Sequence, residues 1–173
     1  MDADRILLAA VQDVPWLSSD QMRDWLALVD LFATLPPAID AQLKRDAGVN
    51  SYEYQVLAVL SDAPHRTVGL SELAESSQGS LSRLSHAITR LERSGWVERR
   101  SCTDPGGRRT NAWLTDAGLA KLETVAPGHV SEARRLVIDV LTPEQLTALG
   151  DAARAIVAAT ALSFPEPEKL IGR

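Results

Sequence analysis

Between Ser80 and Thr110 the chain carries seven arginines, Arg83, Arg90, Arg93, Arg99, Arg100, Arg108 and Arg109, no lysine, and three carboxylates, Glu92, Glu98 and Asp104. That surplus of four positive charges sits in a protein of formal net charge −5, so one contiguous segment is basic on an otherwise acidic chain. A guanidinium is a planar fork that matches phosphate oxygens and guanine edges, so an all-arginine set points to anion recognition. Ser80, Ser82, Ser85, His86 and Thr89 add hydroxyl and imidazole donors to the same stretch. On a helix advancing about 100° per residue, Leu81, Leu84, Ile88 and Leu91 share one side, while Ser82, His86, Thr89, Arg90 and Arg93 oppose them. Arg83 lies on the flank and Ser85 on the far shoulder. Such a helix has a core face and an acid-free donor face, which suits a major groove, and its first amides near Ser80 and Leu81 suit a phosphate.

Catalytic and metal chemistry have little to build on. Cys102 is the single cysteine, which excludes an intrachain disulfide framework and a multi-thiolate zinc site within one chain. His65, His86 and His129 lack metal-ligand spacing. The phosphate-cradling and nucleophile-elbow patterns are missing. The sequence therefore predicts no catalytic residue, no cofactor and no metal. A small-molecule enzyme on this scaffold would have no catalytic set to name.

The elements that must position the basic segment follow from periodicity and turn chemistry. With 173 residues and 45% hydrophobic content, one compact unit is expected. Ser19 to about Arg45 reads as a helix with Trp25, Leu26, Val29, Phe32 and Leu35 on one face, and Pro36-Pro37 predicts a kink or restart. Gly48 ends it, and Ser51 is the expected cap of a helix over 53–60. A short strand over 67–70, a helix over 72–76 and a turn over 76–79 lead to the basic helix, 81–94, closed at Gly95. A short helix, a tight turn and a longer polar-faced helix make a helix-turn-helix. Strands over 96–100 and 111–114 flank Asp104-Pro105-Gly106-Gly107 as a hairpin. Its tip carries Arg108 and Arg109, suited to a narrow minor groove, while Asp104 is read as pinning an arginine of the hairpin. Trp96 and Trp113 read as strand residues packing that hairpin. Thr115 caps a long helix reaching Val140, bent at Pro127, and Thr142-Pro143-Glu144-Gln145 starts a last one. The stretch beyond Phe164 reads as a loose tail. The N-terminus lacks a signal-peptide pattern and no apolar run approaches about 18–20 residues, so no membrane partner and a cytoplasmic location are expected.

The run SELAESSQGSLSRLSHAITRLERSGWVERRSCTDPGGRRTNAWLTDAG, Ser71 to Gly118, resembles the DNA-binding lobe of MarR-family regulators, and the likeness extends weakly from about Asp20 to Ala159. The resemblance implies a mainly α fold with a small β-hairpin wing: a winged helix-turn-helix over 51–114 plus a helical dimerisation lobe from 19–47 and 115–162. It implies no enzyme but a homodimeric, ligand-responsive repressor on a palindromic operator in double-stranded DNA. Ser80, Ser82, Arg83, Ser85 and His86 then lie on the recognition helix, joined by Thr89, Arg90, Arg108 and Arg109 as DNA contacts. Many relatives carry a wing pattern of Asp, any residue, Arg, two others and Arg. Asp104 and Arg109 match its ends, but Gly106 replaces the middle arginine, which shifts the expected tip contact to Arg108. The family also implies a phenolic or other small aromatic effector between the lobes, for which Trp16, Trp25, Tyr52 and Tyr54 are the available residues, although each also reads as a core residue. Cys102 lies on the wing, whereas peroxide-sensing relatives place theirs near the N-terminal helix. The competing reading is a winged-helix module that binds protein instead of DNA, with binding insensitive to salt.

Overall fold

The computed structural model describes residues 14–104 and 107–160, with the backbone alone for 102–104 and 107–109. The expectations for the N-terminal segment, for the side chains of Asp104, Arg108 and Arg109, and for the tail beyond Phe164 lie outside the described residues. Two compact units divide the chain between Pro37 and Ala38.

The first unit holds most of helix α1, Ser19–Ala47. Ser18 starts it: its hydroxyl accepts from the Gln21 amide at 3.2 Å, and the Gln21 side chain accepts from the Ser18 amide at 2.9 Å. No restart occurs at Pro36-Pro37; α1 runs through both. A proline removes one amide and crowds the turn before it, yet its φ is helical, so the two residues cost rungs of the ladder without ending it. The apolar stripe is where the sequence puts it, but Trp25, Leu26, Val29 and Phe32 are all exposed. No uninterrupted apolar run approaches membrane-spanning length, as expected, although α1 contains an 18-residue window of mean hydropathy 1.3, of which 11% is buried. Asp30 and Asp40 interrupt the apolar run but do not bring the average down.

The second unit contains the rest. Gly48 closes α1 in the left-handed region at φ +69°, its amide bonded to the Lys44 carbonyl at 3.1 Å. Helix α2, Ser51–Asp62, is capped one residue earlier than expected, by Asn50. The Asn50 side chain accepts from the Glu53 amide and the Glu53 carboxylate accepts from the Asn50 amide, both at 2.9 Å, a reciprocal pair that Ser51 cannot make from its position. The Ser51 amide goes instead to Asp40 at 2.8 Å. A 3-10 turn, Pro64–Arg66, leads into β1, Thr67–Gly69, then α3, Leu70–Ser76, and α4, Leu81–Arg93. Strands β2, Val97–Asp104, and β3, Gly107–Leu114, pair antiparallel from Val97↔Leu114 to Asp104↔Gly107, and β1 joins the other edge of β3. Both hairpin strands are longer than predicted, because an antiparallel ladder needs only backbone groups and continues past the last buried side chain. Helix α5, Asp116–Ala133, passes through Pro127 and gives way to a π turn at Arg134–Ile138, so its regularity is lost later than expected. Helix α6, Pro143–Ala159, opens with the predicted Thr142–Gln145 capping box.

The core lies beneath the helix-turn-helix. Leu57 and Leu60 of α2, Leu73 of α3, Leu84, Ile88 and Leu91 of α4, Val97 of β2 and Leu114 of β3 are at most 1% exposed and form one cluster that also includes Leu122 of α5. A smaller cluster joins Leu43, Val49 and Val125.

Candidate nucleic-acid interface

Helix α4 is placed by both of its ends. Ser80 is its N-cap, the hydroxyl accepting from the Arg83 amide at 3.1 Å. At the other end Gly95 sits at φ +73°, and the Trp96 amide reaches back to the Leu91 carbonyl at 3.0 Å. Thr115 ties that end to the next helix: it caps α5 through the Gly118 amide at 3.0 Å while its hydroxyl donates to the Gly95 carbonyl at 2.7 Å.

The turn before α4 is built on Tyr52. The tyrosine is 5% exposed, and its hydroxyl lies 3.0 Å from that of Ser77, which donates to the Leu73 carbonyl at 2.5 Å. Gln78 takes the left-handed conformation at φ +55°. A side chain on Gly79 would collide with the Tyr52 ring, so the turn passes against the ring only with glycine there. From the first turn of α4, Arg83 lays its guanidinium over the same ring, 4.1 Å from its centroid.

The two faces of α4 separate much as the sequence predicts. Leu84, Ala87, Ile88 and Leu91 are buried, while Ser82, Arg83, Ser85, His86, Arg90 and Arg93 are exposed and Thr89 is half-buried. Leu81 differs: expected on the core face, it is 57% exposed, because it occupies the first helical position, ahead of the turn where α4 meets α2 and α3.

The cations of this region divide into paired and open ones. Arg90 Nε lies 2.9 Å from Oε1 of Glu53, a carboxylate 3% exposed, which draws Arg90 toward α2. Arg99 pairs with Glu92, and Arg100 pairs with Glu98 at 3.3 Å while stacking 3.4 Å from the Trp113 ring. Among the described residues Arg83 and Arg93 enter no ion pair. The Thr89 hydroxyl donates to the Ser85 carbonyl at 2.9 Å and accepts from Arg99 at 3.1 Å. Arg93, which lies on the donor face by helical angle, and Arg99 both fall outside the predicted contact set. Only the helix-turn-strand return that places β2 beside α4 reveals Arg99 opposite Glu92.

The aromatic residues considered for an effector take different positions. In the first unit Trp16 and Trp25 are 72% and 51% exposed. In the second, Tyr52 is committed to the turn, whereas Tyr54 is half-buried with its ring 4.5 Å from that of His129. Burial raises the Tyr54 phenol above its ordinary pKa and lowers the His129 imidazole. The buried Nδ1 of His129 has no hydrogen-bond partner among the described residues. A recess beside the C-terminal half of α4 is lined instead by Gly48, Glu53, Arg90, Leu91, Arg93, Ser94 and Trp96.

A buried-backed helix presenting serine, histidine and arginine, followed by a two-stranded wing, defines a winged helix-turn-helix. The profile of the MarR family matches residues 49–105. The fold is similar to Sco3205 of Streptomyces coelicolor, a MarR family transcriptional regulator crystallised in complex with DNA, at 39% identity and a TM-score of 0.80, covering 86% of this chain and 96% of that one. It is also similar to AbsC of the same organism, at 33% identity and a TM-score of 0.78, covering 85% and 98%. The HTH-type transcriptional repressor YetL of Bacillus subtilis is 32% identical over 85 residues, a match spanning 49% of this chain and 50% of that relative. This chain belongs to the MarR family of transcriptional regulators.

Proposed function

We propose that the protein is a sequence-specific regulator that lays α4 in the major groove of duplex DNA and directs the β2–β3 hairpin, with Arg108 and Arg109 at its tip, to the neighbouring minor groove. The observation that carries this is the exposed face of Ser82, Arg83, Ser85 and His86 on a helix whose opposite face is sealed into the core. Ser80, Thr89 and Arg90 serve the same face from its edges, Ser80 through the helix start and the other two through bonds that fix their neighbours. Two copies, joined through the exposed apolar faces of α1 and of α5–α6, would read a palindromic site with half-sites about one helical turn apart. Repression, a cytoplasmic location and release by a small aromatic effector complete the proposal, with Tyr54 beside His129 the best-placed residue of the second unit for such a ligand. The effector would act by changing the separation of the two recognition helices.

Selection of bound sequences from random duplex DNA by the purified protein tests DNA binding, palindromy and two-fold symmetry together. A palindromic consensus is expected, with affinity falling steeply as salt rises. Arg83→Ala should weaken operator binding at least about tenfold while Arg154→Ala leaves it unchanged. Recovery of no consensus, or equal effects of the two substitutions, would refute the proposal.

A further inference from the structure

Arg99 stands on β2, outside the helix, and yet makes a dense set of bonds to it. Its guanidinium pairs with Glu92, and its own backbone amide donates to the other oxygen of that carboxylate at 2.9 Å. The second guanidinium nitrogen donates to the Ser85 carbonyl at 3.0 Å, the Thr89 hydroxyl at 3.1 Å and the Ser85 hydroxyl at 3.4 Å. One side chain thus binds two successive turns of α4 together with the residue a further turn on. With Arg99 29% exposed and Glu92 equally so, water competes only partly for these bonds. From Ser101, one residue past the last β3 position that β1 also joins, the hairpin runs on to Asp104 and Gly107 as a two-stranded ladder, and such a ribbon is marginal on its own. Its direction must be set where it leaves the helix.

We propose that Arg99 is the positioning residue that fixes the angle between α4 and the wing, and so the register in which the two elements meet one duplex; this rests on the DNA-binding reading above. The role belongs to the shape of the guanidinium. A fork can satisfy Glu92 on one arm and the Ser85 and Thr89 oxygens on the other, whereas an ammonium on a flexible stem cannot hold both sets. The same geometry assigns Ser85 and Thr89 a part in supporting the wing.

The test uses the full-length protein with Arg99→Ala, Arg99→Lys and Glu92→Gln. A nitroxide on Cys102, the chain's single cysteine and a β2 residue, reports wing motion without DNA, and operator affinity is measured across a salt series. Both Arg99 variants should shorten the label's correlation time about twofold and weaken operator binding about tenfold, with non-specific binding and the salt slope unchanged. Glu92→Gln, which keeps volume and an acceptor, should show the same changes in smaller measure. The assignment is overturned if Arg99→Lys restores operator affinity, or if the slope of log affinity against log salt falls by about 0.9, since either outcome marks a direct phosphate contact. An unchanged spectrum in both Arg99 variants overturns it as well. Should the unsubstituted protein select no operator, the DNA-binding reading fails by itself, while the label still decides whether Arg99 holds the wing.

Discussion

Helices α4 and α6 are both amphipathic and of similar length, yet α4 buries Leu84, Ala87, Ile88 and Leu91 whereas no residue of α6 is buried. The first unit resembles α6: Trp25, Leu26 and Phe32 are each more than half exposed. An apolar stripe is covered only where the chain supplies a second surface, and α2, α3 and the sheet supply one to α4. The proposed pairing of two copies would give the stripes on α1 and α6 such a surface. Stability of the winged helix-turn-helix is therefore a property of one chain, and under the proposed pairing that of the outer helices would be a property of two.

The largest effect separating the two regions is expected from Leu60→Ala. Leu60 is fully buried, so the truncation should cost about 2–5 kcal/mol in urea unfolding, independent of protein concentration. Phe32→Ala should leave that transition unchanged in dilute solution but weaken self-association by about 2 kcal/mol, read by sedimentation. A Phe32→Ala protein that remains a dimer at the lowest measurable concentration would break the contrast. The two reciprocal caps sharpen it. Asn50→Ala should lower global stability by about 1 kcal/mol, whereas Thr142→Ala should raise amide exchange only within the first turn of α6.

A fourth expectation concerns pH. Burial lowers the His129 pKa, so the folded state binds fewer protons than the unfolded chain, and stability should fall as pH drops below about 6.5 toward the folded value. His129→Phe should flatten unfolding midpoints over that range. The smallest effect belongs to Arg154→Ala, whose pair with Asp151 is exposed on both sides and should contribute below about 0.5 kcal/mol.

The face of α4, the hairpin and the last capping box were legible because each depends on a short local pattern. The cap at Asn50 required choosing between adjacent cap-forming residues, and the spacing to Glu53 decides it. The run of α1 through Pro36-Pro37 was not legible, since the cost of two missing rungs must be weighed against 29 residues of helix. Local periodicity likewise gives Leu81 the angle of a core residue without showing that the core begins one turn later. The Glu53–Arg90 and Glu92–Arg99 pairs lie across folds of the chain, where charge counting sees only a surplus of arginine.

Tyr52 turns up at three points: against the backbone at Gly79, on the hydroxyl of Ser77 and under the guanidinium of Arg83. The pose of the outward-facing helix is thereby inherited from an interior ring that is 5% exposed. Residues 82, 86 and 93 can then diversify without disturbing the chassis that presents them. Lineages descending from one ancestor could acquire new vocabularies of target while keeping the same grip.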